Sequence, residues 1–337
     1  MALCETLRGS LCKADLSHIL WKTNLPNVVQ SLNKPSSNTG RVITRFGAEL
    51  LVENTDLSLP PVRCTAKRKF DTIVCGDFIK WYPNEHGNAS VDDLLPRKNA
   101  LTRPGYRGKP RTIAANIDQL IIVNSWLPET LWHLVDRYLI AAQQLKAEAV
   151  IVMNKADLAD QYATDKDWEN LDIYQKIGYP VLHVDALTGE GVDKLQALMK
   201  NKTSIFSGRS GVGKSSIANQ ILPDMDIAVG IISSSGEGKH TTTTAILYQL
   251  LTGGYLIDSP GVRDYALGGI SEYELSEGYI EFENYIKQNK KHCKFNNCTH
   301  NHEPGCVIRE AVTATGIKSE ITKARYQRYL MALESLK

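Results

Sequence analysis

The chain carries two different hydrophobic patterns, which meet at about residue 113. Between Arg41 and Arg111, short apolar stretches such as RVITRF and TIVCGDFIKWY are separated at close intervals by Gly, Pro and Asn. Short strands with frequent turn residues are typical of a small β-barrel. The pattern therefore predicts a barrel, preceded by residues 1–36 without a clear period and followed by a basic connector, NALTRPGYRGKPRTIAAN.

From Asp118 onward, apolar strands alternate with helical segments. DQLIIVNS, AEAVIVMNK, YPVLHVDA and TSIFSG have the length of buried strands, and ETLWHLVDRYLIAAQQLK has the spacing of an amphipathic helix. This alternation predicts a parallel sheet with helices on both faces. AILYQLLTGGYLIDSPG predicts two further strands joined by a TGG turn, and the last fifty residues predict helices around a Cys/His cluster.

Composition places the chain among globular proteins of two or three domains. It has 337 residues, of which 42% are hydrophobic and 23% charged. Its apolar runs are shorter than the roughly 18 residues that span a bilayer, and its N-terminus lacks the apolar core of a signal peptide. We expect a cytoplasmic monomer without a membrane partner. Seven cysteines, an odd number, fit a reducing compartment better than a disulfide framework.

Charge is distributed unevenly along the chain. The net charge is +2 for residues 1–36, +5 for 37–112, −11 for 113–286 and +6 for 287–337. A polyanion would be attracted to both flanks and repelled by the centre. The distribution favours a nucleic-acid partner, with ordinary solvated surface as the alternative.

Residues 208–217, GRSGVGKSSI, match the phosphate-binding P-loop between a predicted strand and a predicted helix. Glycines let backbone N–H groups curl around phosphate oxygens, and the helix N-terminus adds partial positive charge. Lys214 can reach the β- and γ-phosphates, and the Ser215 hydroxyl can hold Mg²⁺. The nucleotide-binding residues expected here are Gly208, Arg209, Ser210, Gly211, Val212, Gly213, Lys214, Ser215 and Ser216.

The segment NKAD predicts which base is bound. It consists of Asn154, Lys155, Ala156 and Asp157 and follows the strand AVIVM. The Asp157 carboxylate can accept from guanine N1–H and the exocyclic amino group, donors that adenine does not offer on that edge. Asn154 can join the loops and the Lys155 stem can cover the ring. The loop VDALTGEG adds Asp185 and Ala186, whose N–H can face guanine O6.

Two further segments fit the γ-phosphate side of the site. Asp258 and Gly261 belong to DSPG after the strand GYLI, where Asp258 can act on Mg²⁺ through water and the Gly261 N–H can sense the γ-phosphate. The polar stretch 233–244 contains Thr242 and Thr243, either of which can complete the Mg²⁺ shell. An ordinary Pro-Gly turn and a mobile linker are the alternatives.

The order of these motifs indicates a circular permutation. In most guanine-nucleotide switches the P-loop precedes the base-reading NKxD segment, whereas NKAD stands more than fifty residues before the P-loop here. A parallel sheet tolerates rejoining because its site is built from loops along one edge, whatever their order in the chain.

The C-terminal cluster has the composition of a metal site. Cys293, Cys298, His300 and Cys306 supply three thiolates and one imidazole within fourteen residues. Four such ligands fit a structural zinc ion, with free thiols as the alternative. His292 and His302 are nearby competitors that we expect to be exposed.

On these motifs the sequence resembles the RsgA (YjeQ) family of small-ribosomal-subunit GTPases. The resemblance runs from about residue 38 and includes LLPRKNALTRP, ANIDQ, NKADL, GRSGVGKSS, GKHTTT, DSPG and the Cys/His cluster. It implies a multidomain α/β protein with an N-terminal extension. The implied divisions are the extension 1–37, an OB-fold RNA-binding barrel 38–112, a circularly permuted P-loop GTPase domain 113–286 and a zinc-binding helical domain 287–337.

The resemblance also implies an activity. Such a protein binds the small ribosomal subunit and its rRNA, assists late subunit maturation, and hydrolyses GTP slowly to GDP unless the subunit stimulates it. Val262 stands where Ras-like enzymes place a water-orienting Gln, and the resemblance suggests His240 as the catalytic substitute. An exposed His in a polar loop is the alternative. Asp185 departs from the Ser that many GTPases have at this point.

Two other classes of function stay open at the level of sequence. One is a P-loop ATPase or small-molecule kinase, against which Asp157 argues. The other is an RNA-binding protein whose nucleotide site senses GTP without turnover.

Overall fold

In the computed structural model, five short strands close the barrel predicted near the N-terminus. The structure describes residues 37–84, 89–104, 110–222, 245–259, 270–313 and 321–336. The strands follow the order β1-β2-β3-β5-β4, with β4 returning to β1. They are β1 Asn38–Phe46, β2 Glu49–Asn54, β3 Val62–Thr65, β4 Phe78–Pro83 and β5 Ala89–Leu94. Alternate side chains, among them Val42, Leu50, Val52, Ile79 and Val91, fill the interior.

A six-stranded sheet forms the centre of the molecule, in the order β10-β9-β8-β11-β13-β12. Its strands are β8 Gln119–Ser125, β9 Glu148–Asn154, β10 Val181–Val184, β11 Thr203–Ser207, β12 Ile246–Gln249 and β13 Tyr255–Asp258. Neighbouring strands run parallel except β12, which is antiparallel to β13. The predicted parallel sheet and the hairpin at the TGG turn are both confirmed.

Helices cover both faces of this sheet, as the continuous apolar runs of its strands require. The helices are α1 Trp132–Leu145, α2 Ala159–Tyr162, α3 Asp165–Ile177, α4 Val192–Met199 and α5 Lys214–Ile221. On β8, Ile122 packs with α1 and α3 on one face, and the next residue, Val123, packs with α4 and α5 on the other. Within the described ranges, no helix is long and apolar enough to cross a membrane.

The barrel covers the edge of the sheet. Strand β1 lies along the edge strand β12, and a bulge between Val42 and Thr44 turns Ile43 toward the core of the sheet. The Thr44 hydroxyl donates to the Ala245 carbonyl at 3.1 Å. An edge strand covered in this way is protected from pairing with another chain.

The stretch expected as a basic connector forms a hairpin instead. Strands β6 Ala100–Pro104 and β7 Pro110–Ala115 pair antiparallel. Leu101 and Ala114 are buried in the same core as α1, so the hairpin is part of the folded sheet domain. The prediction was wrong because the arginines and prolines at the end of the hairpin made the stretch look polar. Its few apolar residues are buried only through packing with the rest of the domain.

Four helices enclose the Cys/His cluster at the C-terminal end. They are α6 Glu272–Glu277, α7 Ile280–Asn289, α8 Val307–Thr313 and α9 Lys323–Glu334. Tyr279, Phe282, Tyr326 and Tyr329 form an aromatic core between them. Helices α6 and α7 pack in this cluster, and the boundary expected between residues 286 and 287 falls inside α7.

A buried network of charges joins α9 to the sheet domain. The Arg325 guanidinium pairs with Asp136 of α1 and with Glu281 of α7, where Nε lies 2.8 Å from Oε1. Arg328 donates to the other oxygen of Asp136 at 2.6 Å, and the hydroxyl of Tyr174 donates to Asp136 as well. All charges of the network have partners, which is the condition under which buried ions are tolerated.

We expect Asp136→Ala to lower the free energy of unfolding by about 3–5 kcal/mol, because it leaves two arginines short of a partner in a buried site. The control is Asp172→Ala, which removes an exposed pair with Lys176 on α3 and should cost about 0.5 kcal/mol or less. Urea unfolding followed by circular dichroism measures both. Equal midpoints for the two variants would contradict a stabilising role for the network.

Candidate functional site

The predicted motifs meet along the carboxyl edge of the sheet. NKAD begins at Asn154, the last residue of β9; Asp185 and Ala186 follow β10, the P-loop follows β11, and Asp258 ends β13. The helices that follow the adjacent strands β8 and β11, α1 and α5, pack on opposite faces of the sheet. Such a topological switch point is where open α/β sheets bind ligands.

The P-loop is pressed against its neighbours at two glycines. Gly208 has φ +135°, and a Cβ built there would lie 2.1 Å from the Val123 carbonyl oxygen. Gly213 precedes α5 with φ +95°, and its Cβ would lie 2.1 Å from Asn154 Nδ2. Residues other than glycine would be strained at both positions and would push the loop off the sheet.

Asn154 joins the P-loop to the loop after β10. Its side chain is buried, Nδ2 donates to the Val212 carbonyl at 2.9 Å, and Oδ1 accepts from the Ala186 N–H at 3.1 Å. That N–H, which the sequence suggested for guanine O6, is therefore directed to Asn154 in this structure. The amide fixes the distance between the base side and the phosphate side of the site.

Lys155 connects the NKAD loop to the P-loop and to the loop that follows β8. Its Nζ donates to the Gly211 carbonyl at 3.0 Å and also to the Leu127 carbonyl. The backbone at Lys155 is left-handed, with φ +59°. Asp157 follows in the short 3-10 turn Ala156–Leu158 and is exposed to solvent.

The P-loop lysine lies over its own loop. Lys214 Nζ donates to the carbonyls of Gly208 at 2.6 Å and Arg209 at 2.8 Å. Ser215 and Ser216 are exposed in the first turn of α5. The ammonium group, the serine hydroxyls and the N-terminus of α5 thus converge on one small region, the arrangement that binds phosphate.

Asp185 shapes its own loop. One carboxylate oxygen accepts from the Leu187 N–H at 2.8 Å and the Thr188 N–H at 3.4 Å. Gln220 of α5, which motif reasoning missed, donates from Nε2 to the Ala186 carbonyl at 2.9 Å. Its sequence signal was weak, since one polar residue near the end of a short helix is ordinary.

The γ-phosphate side of the site is described in part. Asp258 ends β13 one strand away from the P-loop and is exposed at the carboxyl edge. Four residues of interest lie outside the described residues: His240, Thr242, Thr243 and Gly261. Val262 lies outside them as well.

The four predicted metal ligands converge in the C-terminal module. The ligand atoms of Cys293, Cys298, His300 and Cys306 all lie within 4.8 Å of one another. His300 Nδ1 is 3.6 Å from Cys293 Sγ and 3.4 Å from Cys306 Sγ, close to the roughly 3.6 Å between N and S ligands of tetrahedral zinc. His292 and His302 are exposed.

The protonation chemistry of this cluster also suits a cation. Burial raises the pKa of the Cys298 and Cys306 thiols and lowers the pKa of His300. The imidazole is thereby kept neutral and available as a ligand, and the thiols would release their protons on binding a metal ion. The cluster can hold a metal ion.

The fold and the order of the loops define a circularly permuted P-loop GTPase. The sequence profile described as RsgA GTPase matches residues 94–268. A Vibrio vulnificus protein, "Small ribosomal subunit biogenesis GTPase RsgA 1", is 42% identical over 307 residues, covering 89% of this chain and 84% of that protein. A Proteus mirabilis protein, "Small ribosomal subunit biogenesis GTPase RsgA", is 42% identical over 306 residues, covering 88% and 84%.

Solved structures agree with this assignment. YjeQ from Thermotoga maritima has a TM-score of 0.72 at 32% identity, covering 89% of this chain and 98% of that one. YloQ, "a circularly permuted GTPase", shares the fold with a TM-score of 0.66 at 24% identity, covering 89% and 95%. The chain belongs to the RsgA GTPase family and is a GTPase.

We expect Gly213→Ala to weaken GDP binding at least tenfold, because the new Cβ would displace Asn154 and with it both loops. Gly178→Ala is the matched control, since Gly178 also has positive φ, +111°, but nothing lies within 4 Å of its Cβ. Isothermal titration with GDP compares the two. A similar affinity in both variants would show that the contact with Asn154 does not matter for binding.

Proposed function

We propose that this GTPase binds the small ribosomal subunit through its rRNA and assists late maturation of that subunit. The observation that carries the proposal is a guanine-type nucleotide site between two basic flanks, in a chain similar to proteins named for small-subunit biogenesis. GTP holds the bound form, and hydrolysis stimulated by the subunit releases it. The protein works in the cytoplasm as a monomer, and its division into an N-terminal extension, an RNA-binding barrel, a GTPase domain and a zinc-binding module is part of the proposal.

In this proposal the nucleotide contacts follow the geometry of the loops. Asp157 selects guanine, Lys155 covers the ring, and Asn154 keeps the base loops and phosphate loop at a fixed distance. Lys214 moves from its loop carbonyls to the phosphates. Mg²⁺, held by Ser215 and by Thr242 or Thr243, would neutralise charge that develops on the phosphates.

Hydrolysis is slow without a partner for a chemical reason. Val262 has no polar atom with which to orient an attacking water. We propose that His240 takes over this task when ribosomal RNA or protein orders the segment that carries it. The polar and glycine-rich composition of residues 233–244 supports such a conformational dependence.

Exposed basic side chains on both flanks supply the proposed contacts with rRNA. The barrel presents Arg63, Lys67, Arg68 and Lys69, and the metal module presents Lys290, Lys291 and Lys294 beside the exposed ring of Phe295. Cations beside an aromatic ring suit both phosphates and unstacked bases. Since the central domain is acidic, RNA should contact the barrel and the metal module rather than the central domain.

Zinc is the metal that best suits the Cys/His cluster. Three thiolates and one imidazole would fill all four positions of a tetrahedral zinc ion and leave none for water or substrate. We therefore propose a structural Zn²⁺ rather than a catalytic one. The ion would cross-link the loops between α7 and α8 and keep the basic surface of the module in shape.

We expect Asp157→Asn to weaken GTP binding about 100-fold, a cost of about 3 kcal/mol, because the new NH₂ group faces the guanine amino group, so one hydrogen bond is lost and the other no longer has a charged acceptor. The same variant should gain affinity for xanthosine triphosphate, whose carbonyl can accept from the new amide. Asp160→Asn, an exposed Asp in the next turn, is the control. ATP binding tighter than GTP binding in the natural chain would favour an ATPase or kinase instead.

We expect purified small ribosomal subunits to raise the rate of GTP hydrolysis at least tenfold over that of the free protein. Large subunits are the control. His240→Ala should abolish the increase without weakening GDP binding, since the residue acts on the attacking water. Phosphate release under multiple-turnover conditions measures these rates. Turnover that stays at background with small subunits would favour a nucleotide-sensing RNA-binding protein.

A further inference from the structure

The loop that carries His300 is organised around one carboxylate that is not among the four metal ligands. Glu303 accepts four hydrogen bonds from this loop. On Oε1 they come from the Thr299 N–H at 2.8 Å and the Thr299 hydroxyl at 2.7 Å; on Oε2 they come from the Asn301 N–H at 3.0 Å and the His302 N–H at 3.2 Å. Both oxygens are used, and every donor lies within four residues of Glu303.

This loop needs external support because His300 has an unfavourable backbone. Its φ is +57°, a left-handed conformation that costs a non-glycine residue about 1 kcal/mol or more. His300 is nevertheless buried, and its Nδ1 faces the sulfurs of Cys293 and Cys306. A relaxed backbone would turn the imidazole away from these sulfurs.

The donors and the acceptors of the loop are satisfied by different groups. From the buried aromatic core, helix α9 supplies the Tyr326 hydroxyl to the His300 carbonyl at 2.6 Å and the Tyr329 hydroxyl to the Thr299 carbonyl. The N–H groups converge on Glu303, which is partly exposed. Partial burial alone would raise the pKa of Glu303, but these hydrogen bonds outweigh it and lower the pKa to about 2. The carboxylate is therefore charged at neutral pH.

We propose that Glu303 is a positioning residue of the metal site, which holds the His300 imidazole in the orientation that binds the metal. The inference rests on the proposed zinc site but concerns a residue outside its ligand set. Its carboxylate acts through the backbone of residues 299–302 and does not contact the ion. Groups that orient metal ligands typically change metal affinity 10- to 100-fold when they are removed.

The test is the zinc affinity of full-length Glu303→Gln. A glutamine has the same size, but its NH₂ group cannot accept from the loop, so two of the four hydrogen bonds are lost. We expect 10- to 100-fold weaker Zn²⁺ binding in competition with a chromogenic chelator. Glu310→Gln, an exposed glutamate on α8 in the same module, should bind zinc like the natural chain.

A second readout separates positioning from general destabilisation. In Co²⁺-loaded protein, the visible absorption bands report the geometry of the ligands. Glu303→Gln should shift or weaken these bands, whereas Glu310→Gln should leave them unchanged. GDP affinity should be the same in all three proteins, because the nucleotide site lies in the other domain.

The outcomes are distinguishable. Zinc affinity and Co²⁺ bands equal to those of the natural chain in Glu303→Gln would overturn the inference while leaving the zinc site in place. A natural chain that takes up no zinc would overturn the zinc proposal itself. If Glu303→Gln fails to fold, Glu303→Asp provides the test. Its shorter carboxylate should keep part of the hydrogen bonding, and its zinc affinity should fall at least threefold. Full zinc affinity in Glu303→Asp would contradict the positioning role.

Discussion

The buried amide of Asn154 is the interaction on which the nucleotide site depends. It donates to the Val212 carbonyl of the P-loop and accepts from the Ala186 N–H. Three strands, β9, β10 and β11, thus have their loops fixed by one side chain of about 1% exposure. The close approach also explains Gly213, since any side chain there would occupy the space of the amide. Gly213 and Asn154 therefore constrain each other, although they are far apart in the chain.

Permutation leaves this constraint intact because it acts between loops and not along the chain. The chain enters the sheet through β8, at its centre, and leaves it through β13, two strands away. The last strands before the exit, β12 and β13, form the edge of the sheet on which the barrel lies, where Thr44 contacts Ala245 just before β12. Arg41 of the barrel donates to Thr203 at the start of the adjacent strand β11. The barrel therefore rests on the strand that directly follows the polar segment 233–244.

Local motifs could be predicted from the sequence because their chemistry is local. The P-loop, NKAD, the alternation of strands and helices, and the four metal ligands each depend on residue types at fixed spacing. The hairpin β6–β7 could not, since Leu101 and Ala114 gain their partners from distant α1. The direction of the Ala186 N–H and the four hydrogen bonds to Glu303 also escaped prediction. Which groups pair by hydrogen bonding depends on the conformation of the folded loop. A single Glu or Ala gives no periodic signal in the sequence from which such a pairing could be predicted.

The C-terminal module is attached to helices α1 and α3 of the GTPase domain. Arg325 and Arg328 reach Asp136 on α1, and Arg328 also donates to Asn170 on α3 at 2.9 Å. Helix α3 follows NKAD, and α1 follows β8, so both begin at the nucleotide edge. On the other side of α9, Tyr326 contacts the metal loop at His300. Helix α9 thereby contacts the metal loop as well as α1 and α3, and because Arg325 and Arg328 are paired with the buried Asp136, it cannot shift relative to α1 without breaking ion pairs.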